Sequence, residues 1–121
     1  MTEKPVYQII AEDLKNLGVD SVFGLMSDDI CQLVATLDAI GVRFIGNRQE
    51  SHAVMAAAGY AAASGKLGVA LIGRGPAMAN AIHGSVSASR TGHPVLIISS
   101  EMPLARGATN LLGPDLKAFP A

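Results

Sequence analysis

The sequence predicts a three-layer α/β domain, a doubly wound parallel sheet with helices on both faces. Three observations predict it. Segments of helical spacing alternate with short apolar runs, four of each. Two of those runs, Leu67–Ile72 and Pro94–Ser99, are almost continuously apolar, as strands covered on both faces are. Half of the 121 residues are hydrophobic and Gly occurs 13 times, while only 4% are aromatic, so the core is to be filled by small side chains. Alternation of this kind folds with right-handed crossovers.

The elements follow in order. Val6, Ile9, Ile10, Leu14 and Leu17 recur at helical spacing between Pro5 and Leu17, and Gly18 ends that helix. Ser21–Leu25 is a first strand. Ser27 or Asp28 is placed to cap a second helix whose apolar side carries Ile30, Leu33, Val34, Leu37 and Ile40, stopped by Gly41. Cys31 falls inside it as a packed thiol. Val42–Ile45 is a second strand. Gln49–Ser64 is a third helix closed by Gly65, and Leu67–Ile72 a third strand. Pro76 opens a fourth helix to Ser89, where a missing N–H costs nothing, and Pro94–Ser99 is the fourth strand. After Pro103 the rhythm fails. The domain then reads as incomplete at its C-terminus, short of a last helix and strand, with a single domain over 1–121.

The totals exclude several classes. The net charge is −1 and no basic block occurs, so no nucleic acid or anionic membrane is expected as a partner. No apolar run reaches the ~20 residues that span a bilayer, and the first ten residues lack the apolar core of a signal peptide. One cysteine precludes an internal disulfide framework and fits a reducing compartment, so the expected location is the cytoplasm. His52, His83 and His93 are scattered, without metal-ligand spacing, and no metal site is expected on this chain. No Gly-x-Ser-x-Gly elbow is present.

Ligands of open parallel sheets bind at the carboxyl ends of the strands, here the loops GLMSDD, GNRQES, GRGPAMAN and SEMP. GRGPAMAN combines a close-approach turn with the free N–H groups of a helix start. It lacks the third glycine of a dinucleotide fingerprint and the Lys-Ser/Thr of a P-loop, so a generic nucleotide-binding fold ranks last. Glu50 opens a helix that is apolar nearly all round. An acid in a first turn gains roughly 0.3–1 kcal/mol from the helix dipole whatever its function. On so apolar a helix it is also poorly hydrated, which suits proton exchange with a ligand.

Four stretches taken together, Gly18–Leu25, Arg48–Leu71, Gly75–Asn80 and His93–Pro103, resemble the N-terminal, pyrimidine-binding domain of thiamine diphosphate enzymes of the acetolactate synthase and 2-oxo acid decarboxylase type. The resemblance rests on Arg-x-Glu followed by an Ala-rich helix with Gly-Tyr-Ala, then a Gly-Pro-x-x-x-Asn turn, then a strand leading to x-x-Pro. It implies that Glu50 is catalytic: it hydrogen-bonds the aminopyrimidine ring nitrogen and favours the imino tautomer that starts deprotonation of the thiazolium carbon. It implies that Met26, Ser27, Pro76 and Asn80 also face the cofactor. It further implies that the diphosphate and its Mg2+ bind a separate domain carrying Gly-Asp-Gly, a motif this chain lacks. The partners implied are that domain or subunit, a 2-oxo acid substrate and other copies in a homo-oligomer, with the Ala-rich helix from Gln49 at the interface.

Several positions depart from the family pattern. Met26-Ser27 replaces Pro-Gly, Arg74 replaces Ser and Ala77 replaces Gly. Glu101, a substrate-site candidate, replaces glutamine, and an unpaired acid there opposes an anionic 2-oxo acid, which weighs against acetolactate synthesis in particular. The leading expectation is part of a lyase or transferase, inactive as this chain alone. The alternatives are a small subunit of a two-subunit 2-oxo acid decarboxylase, and a non-catalytic interaction module that keeps the fold without the cofactor.

Overall fold

The structure, a computed structural model, describes residues 3–101. Its elements run α1 (Val6–Asn16), β1 (Ser21–Gly24), α2 (Cys31–Ala39), β2 (Arg43–Gly46), α3 (Glu50–Ser64), β3 (Gly68–Ile72), α4 (Pro76–Thr91) and β4 (Val95–Ser99). All strand pairs are parallel and the order is β2-β1-β3-β4. The chain leaves β1 to one side for β2, then returns to pair β3 on the other. That reversal sets a switch point between β1 and β3, where their carboxyl ends open a crevice.

The period-2 alternation of a strand divides the core in two. Val22, Val69 and Leu71 face Ala11 and Leu14 of α1 and Leu33, Val34 and Leu37 of α2. Phe23, Ala70 and Ile72 face the opposite way, against Ala53, Val54 and Ala57 of α3 and Ala81 and Ala88 of α4. The result is the expected three-layer α/β sandwich. The two layers differ in texture. Branched aliphatics fill the α1–α2 side, whereas the α3–α4 side is built largely of alanine, which lets those helices lie close to each other and to the sheet.

The helices approach each other closely at Gly84. A Cβ there would lie 2.5 Å from the Ser51 carbonyl oxygen and 2.9 Å from its Cα. Ser51 is buried, and its hydroxyl accepts from the Gly84 N–H at 3.0 Å and donates to the Asn80 carbonyl at 2.6 Å. The serine of one helix thus bridges a full turn of the other.

Three expectations need correction. Neither Ser27 nor Asp28 caps α2. Its N-cap is Ile30, without a side-chain cap bond, because a turn closed by Ile30 N–H to the Ser27 carbonyl precedes the helix and the Ser27 hydroxyl is bonded to Asp29 instead. Cys31, the first residue of α2, is exposed rather than packed. β4 is not covered on both faces: β3 is buried throughout, but β4 pairs only with β3 among the described residues and leaves Leu96 38% exposed. The stretch after Pro103, where the alternation fails, lies outside the described residues.

At the amino ends of the strands, a polar clamp joins three elements. Asp20, just before β1, accepts from the Tyr60 hydroxyl of α3 at 2.5 Å and pairs with Lys66, just before β3, at 2.6 Å. Hydrogen bonding to Lys66, then to Tyr60, holds the Asp20 carboxyl well below the usual carboxylate range. A carboxyl depressed on folding contributes stability above its unfolded pKa of about 4, and that contribution is lost as pH falls through the folded value. Both charged side chains are about half exposed, so the effect is screened and small. Asp20→Asn should therefore lower the urea midpoint at about pH 7 and narrow its drop between about pH 7 and about pH 3. An unchanged acid limb in the variant would assign the clamp no role in stability.

Candidate functional site

The strands end together at the switch point, so the loops after them share one rim. Glu50 is the first residue of α3, on the β2–α3 loop. The helix begins there because Gln49, in extended geometry at φ −158° and ψ 143°, caps it: its side-chain oxygen accepts from the His52 N–H at 3.0 Å. The Gln49 amide also donates to the Asn80 carbonyl at 3.2 Å. One side chain thus both starts α3 and ties it to α4.

Glu50 is only 7% exposed, as the apolar character of α3 predicts. Its Oε2 accepts from Asn80 Nδ2 at 3.3 Å. No cation pairs with it among the described residues. Asn80 lies one turn into α4, positioned by the two bonds that its carbonyl takes from Gln49 and Ser51. Asn47, just before Glu50 in the chain, buries its Oδ1 with no partner among the described residues, while its N–H donates to the Gly24 carbonyl at 2.6 Å. Among the described residues, the rim therefore presents a buried carboxyl with an uncommitted oxygen and an orphaned carbonyl acceptor close by in the chain. Both acceptors suit a ligand that carries N–H groups, and in that respect the residues fit an aminopyrimidine.

The remaining expected residues are distributed around this pair. Pro76 is the first residue of α4, exposed and one turn before Asn80. Gly75, at φ +61°, makes the turn that admits it. Ser27 is half-buried against the β3–α4 turn, with its hydroxyl 2.8 Å from where a Cβ of Gly73 would stand. Met26 is 51% exposed on the same loop. Glu101 is exposed after β4. The structure thus brings Glu50 and Asn80 into direct contact and sets Ser27 against the turn leading to Pro76. Neither the Met26 nor the Glu101 side chain makes a hydrogen bond to the described residues of either group. Among the described residues no three His, Cys, Asp or Glu side chains gather as a metal site, and no helix is long and apolar enough to cross a membrane.

Sequence reasoning missed three participants. Ser51 and Gln49 lie beside Glu50, but their partners are on α4, and no spacing rule connects them. Asp29 was passed over for its neighbours as a helix cap. Its Oδ1 accepts from Ser27 Oγ, and its Oδ2 accepts from Ser100 Oγ and from the Arg74 backbone N–H, the latter at 2.9 Å. Burial pushes the Asp29 carboxyl up, but the hydrogen bonds from Ser100, Ser27 and the Arg74 N–H together outweigh it and hold it below the ordinary range. The adjacent acid pair Asp28-Asp29 after a strand was the available signal.

Comparison with known proteins bears directly on this rim. The chain is 36% identical over 119 residues to a 2-hydroxyacyl-CoA lyase of Saccharomyces cerevisiae, covering 91% of this chain and 21% of that protein. It is 35% identical over 104 residues to a putative thiamine pyrophosphate-containing protein of Bacillus subtilis, covering 84% of this chain and 18% of that one. It is 34% identical over 109 residues to the acetolactate synthase large subunit of Lactococcus lactis, covering 87% and 19%. The chain thus spans about a fifth of the length of these relatives. The family profile described as thiamine pyrophosphate enzyme, N-terminal TPP binding domain, matches residues 4–119, and the chain belongs to that family.

Proposed function

We propose that this chain forms the pyrimidine-binding half of the active site of a thiamine diphosphate-dependent enzyme that acts on 2-oxo acids by decarboxylation or carboligation. The observation that carries the reading is the buried Glu50 carboxyl at the start of α3, oriented by Asn80 and unpaired with any cation among the described residues. The bound cofactor supplies a carbanion-stabilising ring at which a bond to the substrate's carbonyl carbon can form and break. The chain's own residues do the rest. Glu50 holds and exchanges a proton at the pyrimidine ring nitrogen. Asn80 fixes the orientation of that carboxyl. Met26, Ser27 and Pro76 wall the ring, and Glu101 stands toward the substrate side.

The relatives named as a lyase and a synthase frame the reaction class as lyase or transferase. Glu101 is exposed, so water screens its charge, and its opposition to an anionic substrate is weaker than a buried acid would exert. The diphosphate and Mg2+ are assigned to another domain, in a longer chain or a second subunit, within a cytoplasmic homo-oligomer. The outer side of α3, where His52, Gly59, Ala62 and Ala63 are exposed, is the surface assigned to that partner. Without it, these residues close only one side of the cofactor, so the chain alone is assigned no turnover.

The test is calorimetric titration of thiamine diphosphate, with Mg2+ present, into the protein complete with its diphosphate-binding domain. Saturable binding of one cofactor per site, weakened by substitution of Asn80 with alanine, is expected. No binding would leave the non-catalytic interaction module as the better reading.

A further inference from the structure

We infer that Asp29 is a positioning residue that locks the loops after β1, β3 and β4 into one preformed rim for the cofactor's ring. The inference rests on the pyrimidine-site reading above. Asp29 stands on the β1–α2 loop, yet its partners come from three loops. Oδ1 accepts from Ser27 of its own loop. Oδ2 accepts from the backbone N–H of Arg74, in the β3–α4 turn, and from the hydroxyl of Ser100, directly after β4. A second tie runs parallel to it, from Ser99 Oγ to the Gly73 carbonyl at 3.2 Å. The loops also meet sterically: a Cβ on Gly73 would approach Ser27 Oγ to 2.8 Å and Ala77 Cβ to 3.4 Å. Ser27, Arg74 and the turn into Pro76 are therefore held in one arrangement through a single carboxylate.

The chemistry of the partners explains why an acid stands here. Every group aimed at Asp29 is a donor, two hydroxyls and one N–H. A carboxylate offers acceptors at both oxygens, and bonds to an ionised acceptor are about twice as strong as neutral ones. Asparagine could keep its carbonyl oxygen on the Arg74 N–H only by turning its amide N–H to Ser27, whose hydroxyl would then have to accept instead of donate, and the charge that strengthens all three bonds would be lost. Asp29 also precedes α2, so a purely local role at that helix start is the competing account. The local account requires neither Arg74 nor Ser100.

The two accounts separate in the affinity of the complete protein for thiamine diphosphate with Mg2+, measured beside its thermal midpoint. Asp29→Asn should weaken that affinity about tenfold, the scale of one charge-assisted hydrogen bond in the rim. Ser100→Ala, which leaves the charge and the start of α2 untouched, should weaken it in the same direction by less. Should Asp29→Asn fail to fold, Ser100→Ala carries the test. Unchanged affinity in the folded Asp29→Asn variant, or in Ser100→Ala when it stands alone, would overturn the inference while leaving the pyrimidine site intact. Failure of the unaltered protein to bind the cofactor would overturn both.

Discussion

Glu50→Gln should lower turnover of the complete enzyme by roughly 10²–10⁴-fold, the range for removing a positioned general acid–base group. Glutamine keeps the size and can keep a carbonyl oxygen for Asn80 Nδ2, now 3.3 Å from Oε2. It cannot give or take the proton. The change is close to isosteric at a site 7% exposed, so the thermal midpoint should move little. Hydrogen–deuterium exchange at the cofactor's thiazolium carbon is the sharper readout, because it follows proton activation without a substrate being known. Exchange should slow in parallel with turnover. An equal exchange rate in the variant would remove Glu50 from the chemistry and return its burial to the role of an ordinary first-turn acid.

A large structural effect is expected at Gly84. Gly84→Ala tests two opposed terms. Alanine in a helix interior is favoured over glycine by about 0.8–1.0 kcal/mol. Against it stands a methyl group 2.5 Å from one backbone atom of α3 and 2.9 and 3.1 Å from two more. Backbone atoms cannot swing aside as the end of a long side chain can, so the helices must separate. Overpacking of a tight core costs typically 1–3 kcal/mol. Separation also stretches the Ser51 hydroxyl bridge, with bonds of 3.0 and 2.6 Å, each contributing on the order of 1 kcal/mol. The clash should win, giving a net loss of about 1–3 kcal/mol and a clear fall in the thermal midpoint. A midpoint that rises would mean that propensity dominates and that the helices can part at little cost. Because Ser51 also helps to place Asn80, cofactor affinity should fall along with stability.

The fold was legible because its signals are local. Helical spacing in α1, the glycines after α1, α2 and α3, and the apolar run Val69–Ile72 each carry their own information, and the strand-to-helix alternation dictates a parallel sheet. The burial of Glu50 was legible for a related reason, since it is an acid on a helix that is apolar nearly all round. The ties that shape the site were not. Ser100 and Asp29 are 71 positions apart, and Ser51 and Gly84 are 33 apart. Such contacts are created by the crossovers, and no period in the sequence encodes them. The edge position of β4 was hidden too, because an apolar strand reads alike at an edge or in the middle; only the order β2-β1-β3-β4 shows that its outer hydrogen-bonding side has no partner among the described residues.

The clamp of Asp20, Tyr60 and Lys66 sits at the end of the sheet opposite Glu50 and Asp29. The two ends of the strands therefore answer to different demands, and they can change independently. Changes at Met26, Arg74 or Glu101 should alter the rim without touching the groups that hold the layers together at the base. A scaffold arranged in this way tolerates experiment in its loops. New specificity can be tried at one end while the other keeps the chain folded.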